Sequence, residues 1–352
     1  MSRRVRTALT SLVALGAVTL TACGEAPDES GSDGGDFQAC MITDTGGVDD
    51  RSFNQSVWQG LNDAAESNGD IEPSYLTSAS EADYEPNLSQ AVSKGCEVVV
   101  AVGGVMTDAT RAAAEANPDV FFVMVDGLID LPNVYSVQFD TAQPAFLAGY
   151  LAAGTSETGK VATFGGMKIP PVTIFMDGFA EGVAHYNREK DADVQVLGWN
   201  PETQEGSFAD SFTDQSAGRS LTQNFLSQDA DVILPVAGNA ALGAPSAAEG
   251  TEGAKVIWVD FDGCEAAEQY CALFLTSVMK NIPPVVADTV TEAQAGENRT
   301  GSFIGTLEND GVGLAPYHEL ESEVPAGLAD EVSALREQII DGTITVDSPA
   351  SP

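Results

Sequence analysis

Asp44-Thr-Gly-Gly-Val-Asp49-Asp50-Arg51-Ser52-Phe53-Asn54-Gln55 follows the apolar run Cys40–Thr43 and leads into Val57, Leu61 and Ala64, which share one helical face with Phe53. Ser52 and Gln55 have the spacing of a capping box, so the stretch reads as strand, glycine turn and helix start. Free N–H groups at a helix start favour acceptor-rich ligands. The same alternation continues outward. Near-continuous apolar runs occupy Val98–Val102, Val120–Val125, Val134–Val137, Val161–Phe164, Val194–Leu197, Val232–Val236, Val256–Val259 and Leu273–Thr276, as expected of strands buried on both faces of a parallel sheet. Helical patterns separate them at Pro86–Ser93, at Asp108–Ala116 (capped by Thr107 and stopped at Asn117-Pro118), and at Ala142–Ala153, Phe175–Asn187 and Ala217–Ser227. A further helix is expected over Val278–Ala295, broken at Pro283-Pro284, and another over Leu328–Ile340, with a short strand at Thr343–Val346. The fold class is α/β with parallel sheets. Turn-rich Gln138–Pro144 suggests a crossing between two lobes, and no period of 20–50 residues points to a solenoid.

The chain has 352 residues, with 53 acids against 15 Lys and Arg, and a formal charge of −38. Such a field repels nucleic acids and anionic headgroups, so nucleic-acid binding drops out first. Met1–Arg6 is basic, and Ala8–Leu20 is apolar but too short to span a bilayer comfortably. It runs into Leu20-Thr-Ala-Cys23, similar to a bacterial lipobox. Residues 1–22 are therefore expected to be a lipoprotein signal peptide, Cys23 a lipidated anchor, and 23–36 a flexible tether. The expected location is the extracytoplasmic face of the cell membrane. An ordinary signal peptide cut nearby is the alternative. Cys40, Cys96, Cys264 and Cys271 remain, an even number that suits an oxidising compartment. Three pairings are open; Cys40–Cys96, on strands expected to be neighbours, and local Cys264–Cys271 are preferred over the others and over free thiols.

Ligands of open α/β sheets sit at the carboxyl ends of strands. Those ends carry Asp44, Gly103-Gly104, Asp126, Gly165-Gly166, Gly238-Asn239 and Asp260. Carboxylates accept two hydroxyl donors at once, and glycines let backbone approach a ligand. Any single Asp could equally be a turn former or cap. Phe53 could stack on a flat ring or staple the neighbouring turn. Lys280 can donate to hydroxyls and offset carboxylate repulsion; its alternative is a solvated helix residue. With three acids around one lysine the pocket is net negative, which favours neutral polyhydroxylated ligands over phosphates.

Asp44–Gln55 resembles the opening signature of the basic membrane protein family, whose purine nucleoside receptor A-like members are lipoproteins serving ABC transporters. The likeness continues through Val125-Asp126, Phe146-Leu-Ala-Gly-Tyr-Leu-Ala152, Gly165-Gly166, Asp177-Gly-Phe-Ala-Glu-Gly182, Ala237-Gly238, Val259-Asp260 and Leu275-Thr-Ser-Val-Met-Lys280, spanning essentially all of 38–346. It implies a type I periplasmic-binding-protein fold: two Rossmann-like lobes with parallel sheets, joined by a three-crossing hinge. Lobe 1 is placed at 37–140 plus 263–305 and lobe 2 at 141–262 plus 306–346. By matching motif, Asp44, Phe53 and Asn54 come from the first lobe, Asp126 reads the base, Asp260 and Lys280 clamp the ribose, and Gly238 lies in the Ala-Gly turn. The implied ligand is a nucleoside, a purine nucleoside foremost, with a sugar or autoinducer-like polyol as alternative. The implied partner is an ABC permease, and a monomer without cofactor or metal is expected. Asn239-Ala-Ala-Leu-Gly243 replaces a more glycine-rich loop, Cys264 to Cys271 is inserted, and no second stacking aromatic stands out.

Rival readings fail at particular residues. Gly154–Lys160 nearly matches a phosphate-binding loop, but Val161 replaces the required hydroxyl residue and the segment leads into a strand. Asp44, Asp49 and Asp50 are superficially similar to a calcium-dependent nucleoside hydrolase motif but lack its proline-glycine turn. The two histidines, His185 and His318, fall on segments expected to be exposed, so a histidine acid-base mechanism is not expected. The acid excess suits a surface adapted to high salt. Raising KCl from about 0.1 to about 1 M, which shortens the Debye length from about 10 to about 3 Å, should raise the thermal midpoint; a midpoint highest at low salt overturns this.

Overall fold

A computed structural model describes residues 37–352; the expected signal peptide, the tether and Cys23 lie outside the described residues. The first half runs β1 (Phe37–Ile42), α1 (Phe53–Ser67), β2 (Ile71–Leu76), α2 (Tyr84–Ser93), β3 (Val98–Val102), α3 (Thr107–Ala116), β4 (Phe121–Val125), β5 (Val134–Phe139) and α4 (Ala142–Thr155). Next come β6 (Lys160–Gly165), α5 (Pro170–Lys190), β7 (Gln195–Leu197), a hairpin of β8 (Trp199–Asn200) and β9 (Glu205–Gly206), α6 (Gln215–Leu226), β10 (Val232–Val236), α7 (Gly243–Ala248) and β11 (Lys255–Asp260). The chain closes with α8 (Gly263–Ala266), β12 (Phe274–Lys280), α9 (Ile282–Gln294), β13 (Gly301–Gly305), β14 (Val312–Leu314) and α10 (Leu328–Ile340). Among the described residues no helix is long and apolar enough to cross a membrane.

Two six-stranded sheets result, ordered β13-β5-β4-β3-β1-β2 and β14-β12-β11-β10-β6-β7. All pairings within them are parallel except β12 with β14. The continuous apolar runs follow from burial on both faces. Val98, Val100 and Val102 of β3 enter one core, while Val99 and Ala101 enter another with Leu88 and Ala114 of the covering helices. The chain passes between the sheets three times, from β5 to α4, from β12 to α9 and from β13 to β14, so the expected three-crossing, two-lobe α/β fold is what forms. The first of these lies inside the turn-rich segment.

Several expectations are corrected. Placing 263–305 in the first lobe is wrong for its first part, because β12 pairs with β11 in the second sheet; α9, packed on α1, and β13 do belong with the first. The expected helix over Val278–Ala295 is a strand up to Lys280 and then a helix. Pro283 and Pro284 open that helix rather than break it, since a first turn needs no N–H donors there. No strand forms at Thr343–Val346. Conversely β2, β13 and β14 escape the apolar-run reading: β2 is an edge strand carrying Pro73, and β13 is mostly exposed. The Ser52–Gln55 capping box does not form, and Thr107 is the first residue of α3 rather than its cap.

The two glycine-bearing signatures meet at one helix crossing. α4 is buried along nearly its whole length against α5. A methyl group at Gly149 would strike the Phe179 carbonyl, at Gly178 the Ala142 carbonyl, and at Gly182 the Phe146 carbonyl. The backbones thus approach as closely as hydrogen-only side chains allow. Overpacking of this kind costs about 1–3 kcal/mol, so Gly182→Ala should lower the urea midpoint by a corresponding amount with an unchanged m-value.

Candidate functional site

The carboxyl ends of the two sheets face each other across a cleft of about 540 Å³, counting its open mouth. Asp44, Phe53, Asn54, Asp126, Gly238, Asp260 and Lys280 all line it, so the seven residues singled out as ligand contacts come together. Asp126 comes directly after β4 and Asp260 is the last residue of β11, equivalent strands of the two sheets, and both adopt left-handed backbone (φ 63° and 67°). Asp tolerates this conformation better than most side chains, and here it presents each carboxylate beyond its strand. Lys280 ends β12 and is 4% exposed. Its Nζ donates to Asp126 Oδ2 at 2.5 Å and lies 3.3 Å from Asp260 Oδ1. Burial presses the lysine toward the neutral amine, but the two carboxylates outweigh burial and raise its pKa, so it stays an ammonium. Burial also raises Asp126 against the pull of Lys280. Lys280 is therefore not a solvated helix residue but the cation at the junction of the lobes.

The first-lobe loop is held by its own polar groups. Asn54 Nδ2 donates to Asp44 Oδ1 and Asp50 Oδ2, each at 2.8 Å, and Asn54 Oδ1 accepts from the Asp44 N–H at 3.3 Å. Both amide donors of Asn54 are thereby spent within the loop, which makes it the brace of Asp44. Asp50, 2% exposed, replaces the expected capping box. Its oxygens accept from the N–H groups of Ser52, Asn54 and Gln55 at the start of α1. With those bonds made to the helix, Asp50 is a cap, not part of a calcium site. Burial raises Asp44, softened by Asn54 and Gly46, and pushes Asp50 up to about 7 despite its donors.

Aromatic rings complete the walls. Phe53, the first residue of α1, and Phe175, in the second turn of α5, lie with their centroids 4.8 and 5.1 Å from Lys280 Nζ. Phe175 and Phe212 also line the cleft, and neither was singled out from sequence. A signal for Phe175 exists: α5 follows β6 as α1 follows β1, and β6 holds the place in its sheet that β1 holds in the other. Gly165 and Gly166 are required by packing. Side chains there would collide with the Phe208 and Phe212 rings, so these glycines seat aromatics. Gly103 leaves room for Asp44, whose Oδ2 would lie 3.1 Å from an added Cβ.

The remaining marked residues lie elsewhere. Cys40 is bonded to Cys96 and Cys264 to Cys271. Asp262, Cys264 and His318 cluster within 4.8 Å, but the Cys264 sulfur is committed to the disulfide, and His318 pairs with Asp262 at 2.7 Å. His185, expected on an exposed segment, is half-buried against Phe146, 5.2 Å between ring centroids.

An α/β protein whose two sheets direct carboxylates, a buried lysine and aromatic rings into one interlobe cleft is built as a solute-binding protein. Solved solute-binding proteins of ABC transporter systems share the fold: one from Aeropyrum pernix K1 superposes with a TM-score of 0.79 at 24% identity, covering 89% of this chain and 94% of that one. One from Conexibacter woesei DSM 14684 gives 0.68 at 21% identity, covering 90% and 100%. Residues 37–349 match the family described as ABC transporter substrate-binding protein PnrA-like, and the chain belongs to this Bmp family. Among similar proteins, the "ABC transporter nucleoside-binding protein BmpA" of Lactococcus lactis is 31% identical over 96% of this chain and 97% of that protein. The "CD4+ T-cell-stimulating antigen" of Listeria innocua is 32% identical over 98% and 99%. The protein is thus an ABC transporter substrate-binding protein, which takes a small ligand and works with a permease. Its family consists of binding proteins rather than enzymes.

Asp50 gives a pH test. Its folded pKa of about 7 exceeds the unfolded 3.8, so its contribution to stability is full below pH 3.8 and is lost as pH rises through 7. Urea unfolding of wild type and Asp50→Asn at pH 5 and pH 8 should show the wild type losing ground to the variant at the higher pH; a pH-independent difference overturns the assignment.

Proposed function

We propose that this protein is a nucleoside receptor of an ABC importer, tethered outside the cytoplasm by a lipid on Cys23, monomeric, and taking purine nucleosides in preference to other solutes. The observation that carries the reading is the arrangement around Lys280: one aromatic ring from each lobe, with Asp126 and Asp260 on either side of the ammonium. Rings suit a flat base. Carboxylates and an ammonium suit the polar edge of a base and the hydroxyls of a ribose. Asp44, Asp50, Asp126 and Asp260 around a single lysine repel phosphate, which favours a nucleoside over a nucleotide. The Lactococcus relative described as nucleoside-binding supports the same ligand class. The lipobox-like Leu20–Cys23 and the polar segment after it support the tether.

Binding is then a population shift toward the state in which both lobes touch the ligand. Thermal unfolding of the full chain against inosine, guanosine, adenosine, free bases, ribose and calcium tests this. A ligand at 100 times its Kd should add about 2.7 kcal/mol of stability. A midpoint raised by sugars alone moves the substrate to a polyol, and consumption of nucleoside with calcium overturns the receptor reading. Phe53→Ala and Phe175→Ala should each weaken nucleoside binding by about 1–3 kcal/mol, the worth of base–aromatic stacking, read by titration calorimetry.

A further inference from the structure

The polar contacts between the lobes extend past the Lys280 cluster. Ser52, fully buried, comes from the first-lobe loop, yet its hydroxyl reaches the second lobe. Oγ lies 2.9 Å from Asp260 Oδ2 and 3.2 Å from the Val259 carbonyl, and with one proton to give, the nearer, charged acceptor takes the stronger bond. Ser52 makes no side-chain capping bond to α1, so its hydroxyl is not needed by its own helix. The other oxygen of Asp260, Oδ1, is buried and makes no regular hydrogen bond; it is ion-paired with Lys280 Nζ at 3.3 Å. A carboxylate oxygen held only by an ion pair keeps a lone pair for a further donor at the cleft wall. Beside Ser52, Arg51 makes a second bridge: its guanidinium donates to the Ala266 carbonyl at 2.8 Å, and its carbonyl accepts from Trp258 Nε1 at 3.4 Å.

We propose that Ser52 is a positioning residue that sets ligand choice: by holding Asp260 Oδ2 from the opposite lobe, it leaves Oδ1 as the acceptor for a sugar hydroxyl and so selects ribosides over deoxyribosides. The inference rests on the nucleoside reading. Because the hydrogen bond joins the two lobes, selection is made when they come together. In the open protein Asp260 is free to turn, and a ligand lacking the hydroxyl loses nothing there. On closure it faces an acceptor that only a hydroxyl satisfies. Arg51 joins the lobes too, but through backbone carbonyls away from Oδ1, so it holds the closed form without reading the ligand.

The test uses the full chain and calorimetric Kd values for adenosine, inosine and guanosine and for their 2′- and 3′-deoxy forms. Ser52→Ala should weaken the riboside about tenfold, the loss of a hydrogen bond to a charged group, while one of the deoxy forms changes little, so that the riboside-to-deoxyriboside ratio collapses. Ser52→Thr, which keeps the hydroxyl, should restore the ratio. Arg51→Ala should weaken all forms alike. Equal losses for ribosides and deoxyribosides in Ser52→Ala, or no loss, overturn the proposal while leaving nucleoside binding intact. If the wild-type chain binds no nucleoside, the nucleoside reading falls and takes this inference with it. A thermal midpoint for each variant separates altered selectivity from partial unfolding.

Discussion

Lys280 carries its charge into a site where it is 4% exposed, held by Asp126 from the first lobe and flanked by Asp260 from its own. Removing an ammonium and two carboxylates from water costs several kcal/mol per ion, and their mutual attraction offsets that cost only when the geometry is met. Here the geometry is met only with the lobes together, because Asp126 follows β4 of one sheet and Lys280 ends β12 of the other. The proposed opening of the cleft would part Asp126 from Lys280 and return the pair to water. The proposed closure would strip it again, and would favour a ligand that donates to the acceptors the lysine leaves unfilled. A buried interlobe ion pair is therefore less a source of net stability than a condition on closure.

That condition is useful only if the lobes move as bodies, and the packing inside the second lobe provides for this. The glycine-mediated contact of α4 and α5 brings two backbones too close for sliding or for a larger side chain. The Cys264–Cys271 disulfide closes the segment between β11 and β12, the strands that carry Asp260 and Lys280. Its loop is short, so it adds little through chain entropy; its effect is to fix a surface that meets Arg51. Deformation is left to the three crossings, of which β5 to α4 and β12 to α9 each span only one or two residues.

The two sheets share one strand order, and the site follows from that repetition. Asp126 and Asp260 occupy the same place after the third sheet position from the edge, and both hold left-handed backbone there. Phe53 and Phe175 each stand early in the helix that follows the first strand of a lobe. Equivalent residues thus stand on opposite walls of the one cleft, Phe53 across from Phe175. The departures from symmetry mark the work of each lobe: the first contributes the Asp44–Asn54–Asp50 network, where the second has glycines seating Phe208 and Phe212.

This repetition also explains what was legible in the sequence. Strands buried on both faces have no polar partners in their runs, so β1, β3, β4, β10 and β11 stand out, and the acids at their ends were readable because a chain that leaves a sheet there must change character. The edge strands β2, β13 and β14 lack that signature and went unread, whereas the edge strand β7 was legible in Val194–Leu197. The boundary error at 263–280 has a related cause: Lys280 is followed after two residues by two prolines, and prolines forbidden inside a helix are welcome at its start, so one apolar run hid a strand and a helix on opposite sides of a crossing. Phe175 was hidden among residues that look like helix core, because ring position depends on a symmetry of strand order, not on any local pattern. Ser52 fit a capping motif by spacing alone; only three-dimensional placement shows Asp50 doing the capping and the serine hydroxyl turned across the cleft. A local motif states which groups a residue can bond, and the competing acceptor from 208 residues away decides which it does.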